Sequence, residues 1–266
     1  MTPKKVIYYS SYDEDFSKAV ITPRKIGDDY VYVRTSLFSR ISAFLRYRLI
    51  AAPLAFLYLK IKFGRRIVNK KALKSVKDSG YFIFSNHTQD IGDAVSPAIT
   101  AYPRRVYVIV HPDNVSMPFL GKITPLLGAL PLPDTKAAAK NFFEAIKTRL
   151  EEKCAVAIYP EAHIWPYCTK IRPFKSDSFR YPVRFDLPVF CVTNTYKKRK
   201  LSKKPKMISY VDGPFYPDKS LSYTARAGKL CTEVYECMCH RAENSDCEYV
   251  EYRPIEEKPG TDITKG

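Results

Sequence analysis

The stretch Tyr81-Phe-Ile-Phe-Ser-Asn-His-Thr-Gln-Asp-Ile-Gly-Asp-Ala94 constrains this chain more than any other. An unbroken apolar run, Tyr81 to Phe84, stops at Asn86 and His87, and two carboxylates follow at Asp90 and Asp93. A short run without polar alternation reads as a strand buried on both faces, as in a parallel sheet covered by helices. Such sheets build their sites in the loops beyond the carboxyl ends of the strands. An imidazole delivered there beside a carboxylate suits the removal of a proton from a hydroxyl.

The rest of the chain extends this pattern. Strands are expected at Tyr81–Ser85, Val106–Val110, Ala155–Tyr159, Pro188–Thr193 and Met207–Val211, and helices at Asp93–Ala101, Lys136–Lys153 and Tyr223–Arg241. In the middle helix Phe142, Phe143, Ile146 and Leu150 share one face. The alternation predicts an α/β fold with a mostly parallel central sheet flanked by helices. Residues 78–257 form that α/β domain in this reading, after a polar lead over 1–36 and a basic, apolar helical segment over 37–77. Residues 258–266 read as a flexible tail.

The net charge of +17 requires an anionic partner, and its placement says which kind. Between Asp29 and Asp78 there is no acid but twelve Lys and Arg, and they interleave with apolar residues from Leu37 to Phe63. The uncharged run Leu49–Leu59, with Pro53 inside it, is too short for a single crossing, since a bilayer needs about 20 residues. An interfacial helix pair bent at Pro53 is expected, on an anionic membrane surface that rewards one sign of charge. The alternative is a core helix or hairpin with a solvated basic rim. Nucleic acid is disfavoured as a partner, because the basic residues alternate with aliphatic ones rather than with exposed stacking aromatics. A second basic run, Lys197 to Lys206, suits a docking surface or a solvated hairpin.

Seven cysteines without framework spacing, and an N-terminus that leads into polar, acidic sequence, suggest a reducing cytoplasmic compartment. Cys231, Cys237, Cys239 and Cys247 match no zinc pattern, and only four histidines are present, so no metal site is expected.

A second cluster ends the next apolar strand: Tyr159-Pro160-Glu161-Ala162-His163-Ile164-Trp165-Pro166-Tyr167. Glu161 there suits hydroxyl binding or the holding of a cation, and a solvated loop glutamate is the plainer alternative. His163 and the His111-Pro112-Asp113 turn are weaker candidates for the same edge.

The two clusters, in this order, resemble the motifs of the glycerolipid acyltransferases, which include 1-acylglycerol-3-phosphate acyltransferases. Asn86-His87 with a following Asp is similar to Asn-His-x4-Asp. Tyr159-Pro160-Glu161-Ala162-His163-Ile164 is similar to Phe-Pro-Glu-Gly-Thr-Arg, and Phe174-Lys175 to a later Phe-Lys pair. Gly128 to Asp134 and Leu187 to Val192 resemble the second and fourth motifs, so the likeness covers about residues 81–195. It implies acyl transfer in phospholipid biosynthesis, from acyl-CoA or acyl-carrier protein as co-substrate to a lysophospholipid-like acceptor, with no cofactor. It also implies a membrane-bound enzyme, peripheral or monotopic on the cytoplasmic face. Residue by residue, His87 becomes the general base and Asp93 its orienting carboxylate, with Asp90 as the alternative, because the strict family position is Gly92. Asn86, Glu161, Arg172 and Lys175 become substrate-binding residues. The arginines of the second and third motifs are absent, with Asp134 and Ile164 near their places, so an acceptor without a phosphomonoester is a further expectation. A catalytically inactive lipid-binding protein on the same fold is another.

Overall fold

A computed structural model describes residues 5–17, 22–33, 36–118, 120–200 and 202–255. Its centre is a parallel sheet, because the apolar runs are the strands and helices cover both of their faces. The strands are β2 (Arg66–Val68), β3 (Tyr81–Ser85), β4 (Val106–Val110), β5 (Ala129–Pro131), β6 (Ala155–Ile158), β7 (Val189–Lys197) and β8 (Lys206–Phe215), in the order β2-β8-β7-β3-β6-β4-β5. The five from β7 to β5 are parallel to one another. β8 pairs antiparallel with β7, and β2 runs with β8.

Alternate strand residues divide the core between two layers. Phe82, Phe84, Val156, Ile158 and Cys191 pack with Phe142, Ile146 and Leu150 of α5 (Lys136–Glu151) and with Leu230, Val234 and Met238 of α7 (Tyr223–Ala242). Tyr81, Ile83, Ala157, Phe190 and Val192 face the other way, towards Leu73, Val76 and Ala101. Ala101 closes α3 (Asp90–Ala101). The expected strand at Pro188–Thr193 extends to Lys197, because the long strand β8 pairs with it as far as Lys206.

The basic apolar segment differs from its expected form. It is one helical run rather than a pair: α1 (Leu37–Leu45), a π-type turn over Arg46–Ala51, and α2 (Ala52–Phe63). Pro53 lacks the N–H that an interior helix position needs and its ring crowds the carbonyl of residue i−4. The wide turn just before it makes room for the ring, and the helix continues. Ile41–Phe63 is long and apolar enough to cross a membrane by length and composition, where the run Leu49–Leu59 alone is not. Ala52, Ala55, Leu59 and Phe63 form a stripe against Ile99 and Tyr196. The opposite face is bare: Leu49, Leu54, Phe56, Leu57 and Ile61 are all more than half exposed.

The polar lead contains β1 (Lys5–Tyr9), which pairs in parallel with β9 (Val250–Pro254). Together they carry Tyr9, Phe16 and Tyr252 onto Trp165, in the loop after β6. The tail expected at 258–266 lies outside the described residues.

Candidate active site

β3 and β6 are neighbours, with Phe84 opposite Ile158. Three residues further on, His87 and Glu161 therefore leave the same edge side by side. The backbone N–H of His87 donates to Glu161 Oε2 over 2.9 Å. The two clusters thus meet on one side of the sheet.

The His87 imidazole is oriented by Asp93, whose Oδ2 lies 2.9 Å from Nδ1. The same oxygen accepts the backbone N–H groups of Thr88 (2.6 Å) and Gln89 (2.8 Å). Gln89 is the N-cap of α3, so Asp93 stands in the first helical turn and reaches back to the open N–H groups that precede it. A carboxylate accepts only, so Nδ1 carries the proton and Nε2 keeps its lone pair. Tyr159 stacks on the imidazole, with centroids 4.3 Å apart, and its hydroxyl donates to the Asp93 carbonyl at 2.6 Å. Asp93 is fully buried, whereas Asp90 is exposed. Gly92 has no room for a side chain: a Cβ there would lie 2.8 Å from Cβ of Gln89 and 3.3 Å from the Phe63 ring.

Glu161 is buried with Arg172. Arg172 donates its backbone N–H to Oε1 (2.8 Å) and its guanidinium to Oε2 (2.9 Å). Burial raises the Glu161 carboxyl above its ordinary range, against the opposing pull of the Arg172 charge and the His87 N–H. Arg172 also donates to the His163 carbonyl and lies over the Trp165 ring. Backbone bonds from Trp165 to His87 and from Tyr167 to Thr88 join the two loops.

Four residues were expected to touch substrate, and the structure places them unevenly. Asn86 is buried and bonds Asn194 twice, donating to its carbonyl (3.0 Å) and accepting its N–H (2.8 Å), so its amide ties the loop to β7. Glu161 and Arg172 have each other. Lys175 is exposed. His163 lies 3.7 Å from Asp15 in the N-terminal lead, and His111 bonds within its own turn.

Two site residues escaped the sequence reading. Tyr159 looked like the end of a strand. Arg65 was one of the twelve cations between Asp29 and Asp78, yet it is only 6% exposed and donates to Ser209, Thr100 and the Ser96 carbonyl. Burial pushes its guanidinium down to about 10, and the Tyr159 and Asp93 groups oppose that shift. It is still a cation at neutral pH, and its charge acts on the carboxylate that holds the imidazole. Among the described residues the cysteines make one tight group: Cys191, Cys237 and Asp212 have ligand atoms within 4.8 Å. Both Asp212 oxygens already accept from Arg241, however, at 2.9 and 2.7 Å.

An imidazole held on a carboxylate at the carboxyl edge of a mostly parallel sheet is an arrangement suited to taking a proton from a hydroxyl group. Residues 65–195 match the family model described as Acyltransferase. The motifs at Asn86-His87 and Pro160-Glu161 lie within that range. The crystal structure of the 1-acyl-sn-glycerophosphate (LPA) acyltransferase PlsC from Thermotoga maritima has a similar fold, with a TM-score of 0.50 and 18% identity over 78% of this chain and 88% of that one. A search of curated proteins gives no match.

Proposed function

We propose that this protein moves a fatty acyl group from an acyl thioester to the hydroxyl of a lysophospholipid-like acceptor, with His87 as general base. The observation that carries the reading is the Nδ1–Oδ2 contact of His87 and Asp93 at 2.9 Å, held beside the Glu161-anchored loop. Nε2 of His87 takes the acceptor's hydroxyl proton. The oxygen attacks the thioester carbonyl, and the tetrahedral intermediate expels a thiolate, which receives the proton back from the imidazolium. Asp93 stabilises that imidazolium and holds its tautomer. Proton transfer of this kind contributes typically about 10²–10⁴-fold in rate. Glu161 and Arg172 act by positioning the His87 backbone. No acyl-enzyme, metal or resident cofactor enters the scheme, and the donor is acyl-CoA or acyl-carrier protein.

The reaction takes place at a membrane surface on the cytoplasmic side. The bare apolar face of the 37–63 helix supports this, as do the exposed Lys60 and Lys62 at its end. A second reading, an acceptor without a phosphomonoester, is favoured by one observation: the Arg172 guanidinium is buried on Glu161 and is therefore withdrawn from phosphate binding.

The test is thioester consumption and product mass spectrometry with a panel of phosphate-bearing and phosphate-free lyso-lipids in detergent. His87→Ala is expected to abolish transfer while vesicle binding persists. Full activity in that variant rejects the assigned base.

A further inference from the structure

A cavity of about 810 Å³ lies at the opposite edge of the sheet from His87. It is lined by Arg105 and Cys154, which directly precede β4 and β6, so it opens at the amino ends of strands whose carboxyl ends approach the catalytic histidine. A strand rises about 3.3 Å per residue, which puts roughly 15 Å between the two openings. We propose that this cavity is a second, non-catalytic site for an anionic phospholipid, with the headgroup phosphate on its arginines and an acyl chain along α1.

Charge gives the first argument. Five cations line the cavity (Arg48, Arg104, Arg105, Arg149 and Lys153), against one carboxylate, Glu152. Arg104 donates to the carbonyls of Val76, Lys77 and Ser79, Arg48 to that of Pro103 and Arg105 to that of Leu126, bonds that leave their charges unneutralised. Glu152 is paired to Arg149 at 2.8 Å. Lys153 makes an exposed contact with Asp78 at 3.7 Å, and such pairs are weak. The cavity therefore keeps a cationic excess after its internal pairs are drawn.

Geometry gives the second. The guanidinium carbons of Arg105 and Arg149 both lie over the Tyr107 ring, 5.2 and 4.6 Å from its centroid. Two like charges are thus held on one aromatic ring, and Glu152 pairs with Arg149. Each guanidinium also has a buried Nε–H without an acceptor. An anion here would offset the repulsion between the two guanidinium groups.

The apolar wall gives the third. Leu37, Ile41 and Phe44 of α1 line the same cavity, and all three are more than half exposed. They form one end of the helical run whose other end, at Phe63, packs beside Gly92 at the catalytic edge. That run of 27 residues is about 40 Å long at 1.5 Å per residue. One end of the run thus lines this cavity and the other lies at the catalytic edge, so a bilayer on its bare side would adjoin both. Basic pockets beside membrane helices are known to bind anionic phospholipid headgroups.

The test uses the whole chain in non-ionic detergent, titrated calorimetrically with dihexanoylphosphatidylglycerol, dihexanoylphosphatidylcholine and inorganic phosphate. The phosphatidylglycerol is expected to bind, and the other two at least about tenfold more weakly. Arg105→Met is expected to weaken phosphatidylglycerol about 10- to 100-fold, the range for losing a charged hydrogen bond. Lys153→Glu, an exposed change at the mouth, controls for folding and is expected to weaken it by about tenfold, while His87→Ala leaves the affinity unchanged. Equal affinity for free phosphate overturns the role of the apolar wall. Unchanged affinity in both Arg105→Met and Lys153→Glu, or loss of binding in His87→Ala, overturns the site. A failure of His87 chemistry leaves this test untouched, so the two readings fall separately.

Discussion

Asp93→Asn is the sharpest probe of the proposed chemistry, because the structure dictates how the amide must sit. Three N–H donors converge on Oδ2: His87 Nδ1, Thr88 and Gln89. The new amide therefore turns its carbonyl to them, and its NH₂ occupies the place of Oδ1, which is buried without a partner. The imidazole tautomer survives, and what disappears is the negative charge. Two unit charges 2.9 Å apart attract by about 6 kcal/mol at an effective dielectric of about 20. At 1.36 kcal/mol per decade this bounds the effect near 10⁴-fold. A kcat loss of about 10²–10⁴ is expected, with KM little changed. The unsatisfied NH₂ costs a further ~1–3 kcal/mol of stability, to which the lost compensation of Arg65 adds. The assay is continuous detection of released thiol, with thermal melting to show that the variant is folded. Asp90→Asn is expected to stay near the parent rate. A folded Asp93→Asn protein within about tenfold of the parent kcat would refute the reasoning, as would equal losses at both positions.

Arg172→Met leaves a buried carboxylate without its cation and is expected to cost about 3–5 kcal/mol in urea unfolding, much of it recovered in the double variant with Glu161→Gln. Leu54→Glu with Leu57→Glu places charges on the bare helix face, where the two leucines are 61% and 52% exposed. Flotation on anionic vesicles is expected to fall sharply while the melting temperature holds, and unchanged flotation removes that face as the anchor. The Cys191 thiol donates to Cys237 Sγ over 3.7 Å and lowers the Cys237 pKa. Its thiolate forms at lower pH than an ordinary thiol, so iodoacetamide is expected to label Cys237 before the buried cysteines, with a pH midpoint that rises in Cys191→Ala.

The central strands were legible because burial on both faces leaves a continuous apolar run, as in Tyr81–Phe84 and Ala155–Ile158. β1 and β9 were not, since each is short and half-exposed and finds its partner across almost the whole chain. The meeting of His87 with Glu161 was legible too, because neighbouring parallel strands bring equivalent offsets to one edge. Side-chain roles were harder to read. Asn86 resembled a ligand-binding residue, but its backbone partner, Asn194, lies 108 positions away on the next strand. Arg65 did not stand out among the twelve cations for the same reason: its acceptors are supplied by α3 and β8.

Arg172 shows how such long-range packing alters function. The family motif has an arginine where this chain has Ile164, and Glu161 is still buried here. A buried carboxylate requires a cation beside it. The loop after Glu161 supplies one by folding back eleven residues, and the Arg172 backbone N–H joins its guanidinium in the pairing. Once engaged in this way, Arg172 cannot follow an incoming phosphate without exposing the Glu161 charge. An acceptor phosphate would have to be met by exposed lysines such as Lys62 or Lys175, which bind as point charges rather than as planar forks. Discrimination for a phosphomonoester at this site is therefore expected to be shallow, and a lyso-lipid panel should show graded rather than exclusive use of phosphate-bearing acceptors. Strict dependence on a phosphomonoester would mean that Arg172 leaves Glu161 in the working enzyme.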